Sequence, residues 1–331
     1  MAEAQGAPAM DYHAPRWLRG GHAQTIYPFL LPRQAAVYRR ERIDTPDGDF
    51  VDFDWVDGPD AAPTVVLFHG LEGSSRSHYS LALAHELKQR GLRGVFPHFR
   101  GCSGEPNRLP RAYHSGDAQE IGWILGAVRA RVAGSPLYAA GISLGGNVLL
   151  RWLAQAGADA AAVVTRAAAV SAPVDLVASG QAVDRGLSRV YVWHFLTTLK
   201  PKCRAKARRF PEHFDLPALD RARTLQAFDS AVTAPMFGYR DALDYWQRAS
   251  SKPWLKEVGV PTLVLNARND PFLPASALPE AHEVSPSITL EQPAEGGHVG
   301  FLTGPFPGRC DWLPKRLLEF FHSTSPPQES P

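Results

Sequence analysis

Short runs of small and β-branched apolar residues alternate along this chain with longer stretches whose apolar positions return every three or four residues. "TVVLFH" (64–69), "RGVFPHF" (93–99), "PLYAAG" (136–141), "VPTLVLNA" (260–267) and "SITLEQ" (287–292) read as buried strands, and "AAVVTRAAAVSAP" (161–173) as one more. Between them, "YSLALAHELKQRG" (79–91) is an amphipathic helix closed by Gly91. "DAQEIGWILGAVRARV" (117–132) is a helix with an acidic first turn and a basic last turn, as the macrodipole favours. "VLLRWLAQAG" and the closing "WLPKRLLEFFH" (312–322) are further helices. "TPDGDFVDFDWVDG" (45–58) alternates around Asp-Gly turns and predicts a meander of antiparallel strands. Strand and helix alternate, so an α/β fold with a mostly parallel sheet and helices on both faces is expected.

One stretch breaks this rhythm. From 175 to 248 no good buried strand occurs, and prolines separate several helical patterns. It lies between two core strands, so it predicts a helical cap insertion. The expected organisation is a flexible N-terminus (1–14), a core in two parts (15–174 and 249–322), the cap (175–248) and a disordered polar, proline-rich tail (323–331).

Composition narrows the class. The 331 residues are 44% hydrophobic, enough for a sizeable core, and the formal net charge of +2 gives no reason to expect nucleic acid. No apolar run reaches the roughly 18 residues of a membrane span, and the N-terminus lacks a secretory pattern. Cys102, Cys203 and Cys310 lie far apart without zinc-like spacing. They fit free thiols in a reducing cytoplasm.

Candidate chemistry centres on "GISLGGN" (141–147), which joins a predicted strand to a predicted helix. Gly141 and Gly145 stand two positions either side of Ser143, the G-x-S-x-G nucleophile elbow in its strand–turn–helix context. A serine hydroxyl needs a base, and the base needs an orienting acid. In this architecture they follow in the order serine, acid, histidine. Asp270 in "NARNDPFLP" follows one strand, and His298 in "AEGGHVGF" follows the last. Asp175 in "SAPVDL" competes for the acid role, but a helix N-cap is its plainer explanation. The oxyanion of a tetrahedral intermediate needs aimed N–H donors. Leu144, after the nucleophile, and Leu71, in the loop "FHGLEGSS", are the expected pair. His22, His69, His98 and His114 are expected to be buried and hydrogen-bonded rather than catalytic. No metal or organic cofactor is required.

Several motifs then point further. "PRWLRGGHAQTIYP", "FHGLEGSSRSHY", "FRGCSGEPNRLPRAYHSGD", "GISLGGN", "NDPFLP" and "EGGHVGF" resemble the YheT-like branch of the α/β-hydrolases, over roughly residues 15 to 322. That branch includes bacterial hydrolases and eukaryotic acylglycerol-lipase or phospholipase-like relatives. The resemblance implies the α/β-hydrolase fold and a carboxylic-ester hydrolase, with nucleophile, acid and base on Ser143, Asp270 and His298. The "WLRGGHAQTI" segment carries no group that its spacing assigns to chemistry. It is expected to pack on the core with His22 and Gln24 in buried hydrogen bonds, and Arg100 to form an internal ion pair.

Two features of the cap bear on substrate. "VYVWHFLTTL" is aromatic and apolar, and Trp193 and Phe195 are the candidate acyl-binding residues. "KPKCRAKARR" (200–209) holds six basic residues in ten, which reads as a solvated helix face or as a contact for an anionic membrane. The expected activity is therefore serine hydrolysis of a short- to medium-chain or lipid-like ester through an acyl-enzyme. Thioester hydrolysis or acyl transfer by the same residues, and a catalytically silent binding fold, are the alternatives.

Overall fold

In the computed structural model, which describes residues 11–132 and 134–323, eight strands form one sheet. They are β1 (Arg39–Asp44), β2 (Phe50–Val56), β3 (Thr64–Phe68), β4 (Arg93–Pro97), β5 (Leu137–Ile142), β6 (Arg166–Val170), β7 (Thr262–Leu265) and β8 (Ile288–Glu291). Their order is β1-β2-β4-β3-β5-β6-β7-β8. β1 pairs with β2, and β2 with β4, antiparallel; every other pair is parallel.

The central strands are buried at nearly every position and mostly apolar, because helices cover both faces. Val66 and Phe68 point into one core with Ile121 and Leu149. Val65 and Leu67 point into the other with Leu87, Leu317 and Phe321, as the two-residue period requires. The chain steps from β3 outward to β4, then crosses back to β5 on the other side of β3. The loops leaving β3 and β5 therefore diverge, and the crevice between them is where an open α/β sheet binds ligands.

Three expectations need correction. The meander placed at 45–58 holds only one strand, β2; its partner β1 lies upstream, and Asp57-Gly58 ends β2 instead of turning into a paired neighbour. β1 reads "RRERID", an edge strand whose arginines face water or pair across the ladder, Arg40 with Asp54 (2.7 Å) and Arg42 with Asp52 (2.8 Å). Such a strand carries almost no apolar signal. The strand placed at 161–173 is shorter, because Gly157–Ala162 winds into a 3₁₀ turn first. Tyr12 is not part of a flexible terminus: it is buried against Phe301 and Trp312, and its hydroxyl donates to the Leu302 carbonyl at 2.9 Å. The tail placed at 323–331 lies outside the described residues beyond Ser323.

Between β6 and β7 the chain runs through the helices Leu176–Val183, Arg189–Ala207, Leu216–Arg221, Leu225–Phe228 and Ala242–Ala249. They bury small cores of their own, one around Val192, Leu196, Leu219 and Phe228, another around Tyr245 and Trp246. Asn147 ties the returning chain to the sheet: its amide donates to the Ser115 and Ala249 carbonyls and accepts the Ser251 N–H. Among the described residues, no helix is long and apolar enough to cross a membrane.

Candidate active site

Ser143 lies between the end of β5 and the helix Leu144–Ala156, with φ 53° and ψ −121°. A non-glycine residue held at positive φ signals strain, which the packing around this turn sustains. The flanking glycines are required by contact. A Cβ on Gly141 would lie 2.4 Å from the Gly145 carbonyl oxygen, and one on Gly145 would lie 2.5 Å from that of Phe68. The turn is thus tight enough to push the serine side chain out at the carboxyl edge of the sheet.

Three residues far apart in the chain meet there. His298 Nε2 lies 2.9 Å from Ser143 Oγ, and His298 Nδ1 lies 2.9 Å from Asp270 Oδ2. The Asp270 side chain is fully buried and also accepts the Phe272 N–H at 2.8 Å. A carboxylate on Nδ1 fixes the proton there and leaves Nε2 as the acceptor for the serine hydroxyl. Phe272 stacks on the imidazole, with ring centroids 4.0 Å apart and planes 10° from parallel. Asp175 is elsewhere engaged: it caps the helix Leu176–Val183 by accepting the Ala178 N–H at 2.9 Å.

The "WLRGGHAQTI" segment has a local task that sequence reasoning missed. Gln24 is buried; its Oε1 accepts the Gly296 N–H (2.9 Å) and the Asn269 Nδ2–H (2.9 Å), and its Nε2 donates to the Leu18 carbonyl (3.0 Å). The Thr25 hydroxyl accepts the His298 N–H at 2.8 Å and donates to the Gly21 carbonyl at 2.6 Å. Asn269 Oδ1 accepts the Gly297 N–H at 2.9 Å. The N-terminal segment therefore clamps both the acid loop and the histidine loop. A Cβ on Gly21 would lie 1.9 Å from the Asn269 carbonyl oxygen, so only glycine admits this approach. His22 departs from expectation: it is half-buried and pairs with Tyr191, Nδ1 to Oη at 3.0 Å.

The loop after β3 is set by two tyrosines. Gly70 N–H donates to Tyr79 Oη (3.0 Å), Glu72 N–H to Tyr113 Oη (2.8 Å) and Gly73 N–H to the Gly70 carbonyl (3.0 Å). Among the described residues the Leu71 N–H between them has no such partner. Leu144 opens its helix, so its N–H has no acceptor one turn back. Both residues line the cavity that reaches Ser143.

That cavity separates the two aromatic residues expected to bind substrate. Phe195, Leu199, Cys203 and Lys206 share the face of helix Arg189–Ala207 that lines it, with Phe272, Leu176, Val232 and Met236 opposite. Trp193 is 68% exposed and lies on the outer face of the same helix with Val190 and Arg204. Two residues along a helix is a turn of about 200°, so Trp193 and Phe195 cannot share a face. The expectation for Trp193 is corrected; Phe195 is at the cavity.

The basic run makes contacts besides those with water. Lys202 pairs with Glu72 (2.8 Å), Lys206 donates to the Pro110 carbonyl (3.2 Å) and to that of Arg111, and Arg209 donates to the Asn107 and Arg108 carbonyls. Arg204 pairs with Asp220 at 2.6 Å. These contacts tie the helix to loops beneath it and to its neighbour, while Lys202, Arg204, Arg208 and Arg209 remain exposed, so the run is a solvated face that also makes bonds. Burial pulls the Lys206 ammonium down to about 8.

Several other buried polar groups pair with one another or with the backbone. Arg100 pairs with Glu120 (2.7 Å), Asp47 (2.8 Å) and Asp49 (3.3 Å). His69 donates from Nδ1 to the Gly70 carbonyl and accepts the Phe99 N–H; burial pushes it down to about 3. Burial likewise pushes His78 and His114 down to about 4. His98 lies between Asp54 (2.8 Å) and the Cys102 carbonyl (3.2 Å). Cys102, Cys203 and Cys310 are free thiols. Among the described residues, no cluster of His, Cys, Asp or Glu is arranged to hold a metal ion.

A serine elbow at the edge of such a sheet defines a class, and the family model for the alpha/beta hydrolase fold matches residues 63–305: this chain belongs to the α/β-hydrolase family, in its YheT-like branch. It is 39% identical over 305 residues to "Putative esterase YheT" of Escherichia coli K12, covering 90% of this chain and 89% of that one. It is 33% identical over 320 residues to the phospholipase ABHD3 of Mus musculus, covering 93% and 77% of the two chains. Among solved structures, an esterase of Pyrococcus furiosus superposes with a TM-score of 0.55 at 15% identity, over 87% of this chain and 95% of that one, a likeness of fold.

Proposed function

We propose that the protein is a serine carboxylic-ester hydrolase that acts through an acyl-enzyme on a short- to medium-chain or lipid-like ester. The observation that carries this reading is the position of His298, within hydrogen-bond distance of both Ser143 Oγ and Asp270. Ser143 Oγ attacks the ester carbonyl as its proton passes to His298 Nε2. The Leu71 and Leu144 N–H groups stabilise the oxyanion that forms. Asp270 holds the imidazole and balances its charge without taking the proton. His298 then gives the proton to the departing alkoxide, and the carbonyl re-forms as the acyl-enzyme. Water, deprotonated by His298, attacks that ester; the acid leaves and Ser143 regains its proton.

The apolar wall of Phe195, Leu199, Val232, Met236 and Phe272 suits an acyl chain. The helical segment between β6 and β7 supplies much of that wall and acts as a cap that selects substrate. The names of the relatives, an esterase and a phospholipase, support the ester class. Stoichiometric labelling of the pure protein by a fluorophosphonate, abolished in Ser143→Ala, tests the mechanism. A panel of esters from acetyl to palmitoyl, with monoacylglycerols and thioesters, tests the substrate. Absence of labelling in the native protein would reduce it to a silent fold.

A further inference from the structure

Eight large apolar side chains that face water fall in three segments of the chain; Val37, Leu216, Leu243 and Trp254 are exposed elsewhere in the sequence. In the N-terminal segment Trp17, Ile26, Phe29 and Leu30 are exposed. Leu187, Val190 and Trp193 are exposed at the start of the helix Arg189–Ala207, and Phe306 in the last loop. These groups adjoin. Trp17 packs edge-on against Tyr27 (5.1 Å) and Phe306 (5.5 Å). His22, one helical turn before Ile26, stacks on Tyr191 with its Nδ1 3.0 Å from the phenol oxygen. Tyr191 is in turn one helical turn from Leu187, and Val190 one turn from Trp193. The exposed groups thus run from Phe306 to the His22–Tyr191 seam and round the start of the helix through Leu187 and Val190 to Trp193, which stands about 200° from Tyr191.

Arginines are among the exposed residues of these segments. Arg16, Arg19 and Arg189 are exposed there without an ion-pair partner among the described residues. Arg33 reaches only the Phe29 and Arg76 carbonyls. Asp311, a few residues beyond Phe306, is already paired with Lys315 at 2.8 Å. A contiguous exposed apolar face marks an interaction site. Tryptophans beside aliphatic side chains and unpaired arginines suit the boundary between acyl chains and anionic head groups. The seam also lies over the reacting centre: Tyr191 packs on Phe272 at 4.8 Å, and Phe272 stacks on His298.

We propose that this face docks the protein on an anionic lipid surface, with the N-terminal segment and the outer face of helix Arg189–Ala207 entering the interface together. The basic run adjoins it: Lys200 and Arg204 border the same outer groove as Val190 and Trp193, with Arg204 already paired to Asp220. Docking does not depend on catalysis, so it is tested with the full chain carrying Ser143→Ala. That protein should co-sediment with vesicles of phosphatidylcholine and phosphatidylglycerol in equal parts, and much less with phosphatidylcholine alone. Binding should weaken about fivefold for each of Arg16, Arg19 and Arg189 changed to glutamine, and fall with added salt. Val190→Ser with Trp193→Ser, and separately Ile26→Ser with Leu30→Ser, should each weaken it at least about tenfold. The Val190→Ser, Trp193→Ser pair placed in the active enzyme should leave soluble-ester turnover unchanged, and both pairs should leave circular dichroism unchanged. Brominated lipid should quench native fluorescence less once Trp17 and Trp193 are both phenylalanine. Failure to bind anionic vesicles at low salt, or binding that survives both serine pairs, overturns the proposal. So does a homodimer, seen by sedimentation equilibrium, that those substitutions dissociate, since a second copy would then be the occupant. None of these outcomes touches the ester-hydrolase reading, which the fluorophosphonate decides.

Discussion

Thr25 and His298 are 273 residues apart in the chain, yet the Thr25 hydroxyl accepts the backbone N–H of His298 at 2.8 Å. A histidine that must meet a serine on one side and a carboxylate on the other tolerates little error. Its loop is rich in glycine and has few restraints of its own, so an N-terminal side chain supplies one. Thr25→Val keeps the shape and removes the acceptor. We expect kcat to fall about tenfold with KM nearly unchanged, since a misplaced catalytic group costs rate more than binding. Thr25→Ser should restore it. Equal kcat in the valine variant would leave the segment a packing element only.

Ser143→Ala should fold normally and lose at least about a thousandfold in ester turnover, the residue coming from the oxyanion donors and binding. Asp270→Asn should also impair turnover strongly, because the imidazole loses the acceptor that fixes its tautomer. Asp175→Asn should leave turnover intact, since asparagine caps a helix about as well as aspartate. Steady-state kinetics on a soluble ester rank the three. The reverse order for the two aspartates would move the acid role to Asp175.

Phe195 and Trp193 differ by two positions and point to opposite sides of one helix. Phe195→Ala should raise KM for long acyl chains more than for acetyl esters, because each lost methylene contact is worth about 0.8 kcal/mol. Trp193→Ala should change KM for neither in detergent-free solution. Equal losses from the two variants would contradict the placement of the acyl chain along Phe195.

Acid should unfold the protein earlier than its carboxylates alone require. His69, His78 and His114 are held neutral by burial, with values of about 3, 4 and 4 against an ordinary 6.5. Below pH 6.5 the unfolded chain binds protons that the native state refuses, so stability falls as pH drops from 6.5 toward 4. Asp229 opposes this. Burial raises it to about 6, so the native state binds a proton there that the unfolded chain, near 3.8, does not. Three downward shifts outweigh one upward shift. The urea midpoint should therefore decline between pH 6.5 and 4, and His78→Gln should flatten the decline. A midpoint independent of pH in that window would contradict the burial argument.

Much of the site was legible because its parts are local. The strand–Gly-x-Ser-x-Gly–helix pattern needs only a tight turn, which Gly141 and Gly145 announce. Asp270 and His298 each follow a recognisable strand, and the parallel sheet places such positions at one edge. The inner strands were legible because burial on both faces leaves an unbroken apolar run. β1 was not, because an edge strand made of arginine and glutamate stabilises itself by cross-strand pairs that no window of sequence contains.

What the sequence determined by itself was the alternation of strands and helices, the elbow, and the order of the three candidate catalytic residues, all consequences of short-range periodicity and turn chemistry. Tertiary structure alone decided which residues stand against one another across long separations. It gave Gln24 and Thr25 to the acid and histidine loops, and bonded Lys202, Lys206 and Arg209 to the loops beside their helix. It also placed Phe195 at the cavity and Trp193 in water. Helical periodicity fixes that those two face apart, but only the packing of the helix on the core fixes which one faces in. That choice depends on the summed burial and hydrogen bonding of the whole helix, which no single position carries.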